Sequence, residues 1–388
     1  AIFAKPLSKL NITTVGELLD IRFGKVPKYM SSLFLFIYLV VLSSVQIIAC
    51  GSLLNTLFGW DLALSMLIGG AVGIIYSTMG GMLAVTYTDC AQWIFMTIGV
   101  FFILFPTSLS QVGGVSNLIN SVPKEYLSLG NAGFARILSW FILYLLGMFL
   151  DQSMWQRMFT AKSLKVAKNG TIGAGIYTML YGLVVVVIGM CGAVLLPGLA
   201  DPQQTFATMA LTYLPAGIAG IIFAGVLSAV MSTMDGPLLS AATIVLNDII
   251  LPVKPNMPEK KKVAIARIAL GASGVVAMVI ALWLQDVLVA LDFAYAVIVG
   301  GLLCPVVTAL FWKRVTSKAA TISVICSMLT LIISMINFGV SANEPIIYAF
   351  VVGLVVLIVA TFATKPEYEK YDYLYSEERI GKSAVWED

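Results

Sequence analysis

IIFAGVLSAVMSTMDGPLLSAATIVLNDII, residues 221–250, is the stretch from which the rest of the chain is read. Its first ten residues are apolar or small, and the stretch as a whole is long enough to cross a bilayer. It nevertheless carries Ser228, Ser232, Thr233, Ser240 and Thr243, with Asp235 near its middle. In hydrocarbon, so many hydroxyls and an acid must face protein, water or an ion. Ala229, Ser232 and Thr233 stand at i, i+3 and i+4 and so share one helical face. A carbonyl at the first and hydroxyls at the other two offer three neutral oxygens, the ligand type a hard cation such as sodium takes. The same spacing also serves hydroxyls that bond back to carbonyls three or four residues earlier. On this segment alone both readings stand.

Composition fixes the class. Of 388 residues, 60% are hydrophobic and 11% charged, and the mean hydropathy is +0.97. A soluble domain carries about a quarter of its residues charged. This is an integral membrane protein, so the lipid bilayer is its first partner, and no nucleic-acid partner is expected. Cys50, Cys90, Cys191, Cys304 and Cys326 lie in apolar runs with no CxxC pair, and the chain has no His. A zinc site, a disulfide framework and a nucleophile–base constellation are therefore not expected, nor is any cofactor or enzymatic activity. Without His, any proton coupling would fall on Asp or Glu.

The chain opens at Ala1 with AIFAKPLSKL, which reads as the continuation of an earlier membrane helix and hence as an N-terminally incomplete sequence. Residues 1–29 form a cytoplasmic connector, charged and weakly amphipathic, in which Thr14 and Glu17 make a capping box. Ten apolar runs come next, at about 30–58, 62–82, 87–109, 134–157, 171–198, 216–250, 264–284, 286–312, 318–338 and 345–364. Residues 30–364 are thus a transmembrane bundle, and 365–388 a polar cytoplasmic tail expected to be largely exposed. All but two of the 23 Lys and Arg fall on one side of these spans; Lys124 and Arg136 are the exceptions. Basic residues mark the cytoplasmic face, which predicts a multi-pass protein of the cell membrane with both ends inside.

Glycines crowd several spans: Gly69, Gly70, Gly73, Gly80 and Gly81; Gly170, Gly173 and Gly175; and Gly300 and Gly301 before Pro305. They serve either close helix packing or breaks around a midplane site. Four acids lie within or near the ends of spans: Asp89, Asp151, Asp235 and Asp292. A charge at a helix centre costs at least about 2.5 kcal/mol, so each needs a partner or water. Asp89 reads as a helix cap or a coupling residue, and Asp151 as part of an ion pair or hydrogen-bond network with Arg157. Asp292 has no base nearby in sequence. Asp248 sits at a cytoplasmic exit, where water is expected to reach it. Acids and hydroxyls without bases suit a cation, or a zwitterion or neutral solute that moves with one.

Tyr76-Ser77-Thr78-Met79-Gly80-Gly81-Met82-Leu83-Ala84, succeeded by Val85, Thr88-Asp89 and Gln92, resembles the signature of the sodium:solute symporter family, with Tyr87 at a family Trp. Ala229-Val230-Met231-Ser232-Thr233, with Leu238-Leu239 and Asp248 downstream, is similar to that family's sodium-site helix. Asp151-Gln152 with Trp155-Gln156-Arg157, Phe311-Trp312-Lys313-Arg314 and the opening from Thr14 to Gly24 are further echoes. The resemblance runs from residue 7 to about 320. It implies an all-α membrane protein with the LeuT-type inverted-repeat bundle, lacking its first core helices and retaining about ten transmembrane helices. It also implies sodium as coupling ion, held by the Ala229 carbonyl and the Ser232 and Thr233 hydroxyls. Some members bind a second sodium with an acid matching Asp89 and two later serines; here those positions are Asp235 and Gly236. Asp89 and Asp235 are accordingly candidates for a second cation or for coupling. The polar residues that sugar carriers place on the sixth core helix are not visible in FILYLLGMFL, where Tyr144 is the polar side chain, so a sugar is disfavoured.

The function expected from this resemblance is a sodium-coupled secondary active symporter that imports a small organic solute by alternating access. The alternatives are a proton-coupled symporter using Asp89, Asp235 or Asp292, and a transporter-like membrane sensor. The short tail speaks against the sensor.

Overall fold

The computed structural model describes residues 12, 14–128, 130–159 and 161–376, with the side chains at 80–88, 157–159 and 164 outside that description. Among the described residues every regular element is helical. Helix α1 (Val15–Phe23) is started by Thr14, whose Oγ1 accepts the Glu17 amide at 3.0 Å, and is stopped at Gly24, where φ is +92°. A glycine takes that left-handed conformation without strain. Then come α2 (Lys25–Phe58), α3 (Leu62–Thr97), α4 (Phe105–Val112), α5 (Phe134–Trp140), α6 (Gln152–Phe159) and α7 (Leu164–Leu195). A short helix, Val115–Ser121, lies between α4 and α5, and the remaining α-helices are α8 (Thr205–Tyr213), α9 (Ala216–Ile244), α10 (Glu259–Leu284), α11 (Val287–Phe311), α12 (Ser317–Phe338), α13 (Glu344–Ala363) and α14 (Tyr368–Leu374). Ten helical segments of the described residues are long and apolar enough to span a membrane, at the ten places read from sequence.

One boundary differs. A break is expected near residue 85, yet α3 is 36 residues long and runs on through a π-helical turn (Ile98–Leu104) into α4. Such a helix would measure about 54 Å, against a hydrocarbon core of about 30 Å. Its neighbours show that the path nevertheless reverses. Gly51 of α2 abuts Met66, and Gly70 abuts Ile47, so α3 descends antiparallel to α2. Farther along, Phe95 packs against Gly225 and Gly99 against Ile222, near the start of α9. The chain therefore turns back between Ser77 and Phe95, an interval that contains Gly80-Gly81; glycines are a usual place for a helix to bend. Asp89 stands where the returning span, Asp89–Val112, begins.

Elsewhere the glycines do not break their helices, and those of α11 pack closely while Gly170, Gly173 and Gly175 of α7 face open space. Helix α11 stays continuous through Gly300, Gly301 and Pro305. A Cβ on Gly301 would stand 3.0 Å from both Met328 Sδ and a Phe34 ring carbon. Helix α7 is likewise unbroken over Gly170, Gly173 and Gly175. The largest apolar core joins α1, the first half of α2, α11, α12 and α13, around Leu18, Leu39, Val299, Leu302 and Leu331.

The end of the bundle around α1 is knitted by polar contacts. Arg22 is fully buried and donates from Nη2 to the carbonyls of Lys313 (2.9 Å) and Val315 (2.7 Å). Most of the described tail is exposed, as its composition leads one to expect, but one side of it is docked. Leu374 is fully buried, and the phenols of Tyr371 and Tyr375 both donate to the Leu310 carbonyl at 3.2 Å. Glu367 accepts from Ser317 Oγ at 2.6 Å. Tyr368 and Tyr373 do remain exposed. Tyrosine drives this docking, because its ring buries area while its hydroxyl satisfies a carbonyl at the end of α11.

Candidate functional site

The three oxygens singled out on α9 come together. Ser232 Oγ donates to the Ala229 carbonyl at 3.0 Å, and Thr233 Oγ1 donates to the same carbonyl at 2.9 Å. Ala229 and Ser232 are half-buried and Thr233 is exposed. Back-bonding thus gathers the carbonyl and both hydroxyls on one open face. Their lone pairs fit a hard cation, but three donors are fewer than the six or so such ions take. Further oxygens would have to come from water, solute or another segment.

One turn on, Asp235 is 1% exposed. The Ser77 hydroxyl of α3 lies between the Asp235 carboxylate and the Gly73 carbonyl, to which it stands at 2.8 Å. Asp235 thereby ties α9 to α3 at mid-membrane. Asp89, the other candidate for a second cation, is half-buried in the returning part of α3. Thr88, its neighbour in the signature, lies outside the described side chains.

The remaining acids divide by location. Asp151 caps α6: its Oδ1 accepts the amide of Ser153 at 2.8 Å and its hydroxyl at 2.6 Å. The expected pairing with Arg157 falls on a side chain outside the described ones. Asp292 is 6% exposed and accepts from the Tyr144 hydroxyl. The rings of Tyr144 and Tyr295 meet edge-on at 5.4 Å, and those of Tyr295 and Tyr38 at 5.5 Å, so an aromatic file runs inward from Asp292.

Asp248 corrects the sequence reading. Expected to meet water, it is 2% exposed and accepts from Thr14 Oγ1 at 2.8 Å and Ser32 Oγ at 2.6 Å. Gly16 is required beside it, since a Cβ there would stand 2.6 Å from Asp248 Oδ2. Two glutamines extend this junction: Gln152 Oε1 accepts the Val15 amide at 3.0 Å, and Gln156 Oε1 accepts Ser240 Oγ at 2.9 Å. Both were legible only as an echo of a motif. Their sequence signal is amides on a short, otherwise mixed segment, which does not say what they touch.

Comparisons with known proteins bear on the family and the fold. The family model for the sodium:solute symporter family matches residues 1–327. A sodium/glucose cotransporter of Vibrio parahaemolyticus is 26% identical, over 91% of this chain and 72% of its own length. A sodium/proline symporter of Haemophilus influenzae is 25% identical, over 96% of this chain and 79% of its own. Other relatives are longer, and the chain spans 56% of one and 57% of another. A solved outward-open, substrate-bound Na+-coupled sialic acid symporter superposes with a TM-score of 0.75 over 94% of this chain and 80% of that one. At 19% identity, that likeness speaks for the fold alone, a LeuT-type bundle. The fold, the ten spans and the match over most of the chain lead to one conclusion: the chain belongs to the sodium:solute symporter family.

Proposed function

We propose that this chain works in a sodium-coupled symporter that carries a small organic solute across the cell membrane by alternating access. Sodium sits against the open face of α9, coordinated by the Ala229 carbonyl and the hydroxyls of Ser232 and Thr233. The observation that carries this reading is the convergence of those three oxygens on a half-exposed helical face. Asp89 and Asp235 are the places for a second cation or for coupling, Asp235 through its link to Ser77. Both ends of the chain lie on the cytoplasmic side, by the distribution of Lys and Arg. Proton coupling through Asp89, Asp235 or Asp292 gains nothing from the relatives, which are named for sodium.

Ser232→Ala with Thr233→Val tests the site in the intact protein. A lost hydrogen bond or ligand contact to a charged group is worth about 1.5–3 kcal/mol, or roughly ten- to a hundred-fold in sodium half-saturation. Binding is reciprocally coupled, so solute affinity at low sodium falls too and high sodium restores part of it. An unchanged sodium half-saturation in properly folded protein makes the hydroxyls structural and removes the site.

A further inference from the structure

An acid and a base from different helices share one small pocket at the outer end of the bundle without neutralising each other. Asp292 of α11 and Arg136 of α5 line it, together with Ser139, Trp140, Ala296 and Ser341. Each is held by a neutral partner. Asp292 accepts from Tyr144, and Arg136 Nη1 donates to the Ser341 carbonyl at 2.7 Å and to Asn343 Oδ1 at 3.2 Å. The guanidinium also lies over the Trp140 ring, 5.3 Å from its centroid, which fixes its plane. Ser139 Oγ donates to Asn343 Oδ1 at 2.9 Å, bracing the loop against α5. Among the described residues neither Asp292 nor Arg136 has an ion pair within 4.0 Å.

Two opposite charges lining one small pocket would gain by pairing directly. Here hydroxyl, amide, carbonyl and ring hold them apart, and each keeps hydrogen-bonding capacity to spare. Tyr144 accounts for one lone pair of the Asp292 carboxylate, which has about four, and Nη1 is one of three donor nitrogens on Arg136. The cavity between them is about 10 Å³, room for one water-sized group, and a primary ammonium is such a group.

We propose that this pocket reads the two ends of a zwitterionic solute of the amino-acid type. The ammonium enters the cavity against Asp292, and the carboxylate takes the outer donors of Arg136, whose fork matches carboxylate geometry. A neutral sugar would leave both charges uncompensated, and a simple anion would leave Asp292 so. The proposal deepens the sodium-coupled reading and rests on it for the transport step.

The test is thermal stabilisation of the intact, purified protein in sodium chloride and in potassium chloride. Three mixtures are compared: the twenty amino acids, neutral hexoses with polyols, and monocarboxylates. The amino-acid mixture is expected to stabilise in sodium, and the other two are not. For the single amino acid responsible, Asp292→Asn and Arg136→Gln each lower affinity by about tenfold or more. The shift given by sodium alone is kept in both. Arg136 is half-buried at the outer end, so Arg136→Gln remains informative if Asp292→Asn fails to fold. Stabilisation by hexoses or monocarboxylates in place of amino acids overturns the proposal. So does silence toward the amino acids, or unchanged affinity in the Arg136 variant, which would leave the pocket a water site. Should sodium alone give no shift, the cation site on α9 fails instead, and the response to amino acids in potassium still decides the pocket.

Discussion

Helix α9 and its π-helical extension (Val245–Ile250) bring polar groups to two places with opposite surroundings. At Ala229–Thr233 the hydroxyls bond only to their own backbone among the described contacts and face outward, half open or exposed. At Asp248 the carboxylate is clasped by Thr14 and Ser32 from two other segments and closed from solvent. The first arrangement leaves lone pairs for something that comes and goes. In the second they are committed to holding α1, α2 and α9 together. On the proposed reading, exchangeable ligands and structural ones are separated along one helix, and partner count with burial tells them apart more surely than residue type does.

The largest effect that could break this contrast is at Arg22, the other closed polar group of the end around α1. Arg22→Ala strands the carbonyls of Lys313 and Val315 and opens a cavity. A loss of about 3 kcal/mol in stability is expected, read by thermal unfolding in detergent. A loss within error would mean that this end is not knitted by this side chain.

Next comes Asp248→Asn, which keeps the shape but weakens two hydrogen bonds to a charged acceptor. It should cost about 1–2 kcal/mol in stability. Ser232→Ala with Thr233→Val, scored in the same unfolding assay without sodium, should stay within about 1 kcal/mol, because only local back-bonds are lost. If the two variants destabilise equally, the division between structural and exchangeable groups fails.

The smallest effect concerns the docked tail. Burial opposes ionisation of Glu367, but hydrogen bonds from Lys370 and Ser317 outweigh it and hold its carboxyl below the usual range. A depressed acid stabilises the docked form above its undocked value and gives that up as pH falls through its docked one. The protection factors for amide exchange over 368–374, from which the intrinsic pH dependence of exchange is divided out, should therefore be flat from neutral pH down to the ordinary carboxylate range, and fall below it. Lower protection already at pH 6 than at pH 8 would assign the docking to another group.

Much of the fold was legible because the bilayer imposes it. A span must be apolar for about twenty residues and satisfy its own backbone, so ten helices could be read from hydropathy. The three oxygens at Ala229, Ser232 and Thr233 were legible for a similar reason, since helical periodicity alone places i, i+3 and i+4 on one face. Tertiary structure alone decided the rest. Nothing in the local sequence said that Asp248 would meet Thr14 and Ser32, that Arg22 would be buried against the loop before α12, or that Arg136 would enter the pocket of Asp292. Each joins residues far apart in the chain, and which polar group meets which depends on how the helices pack.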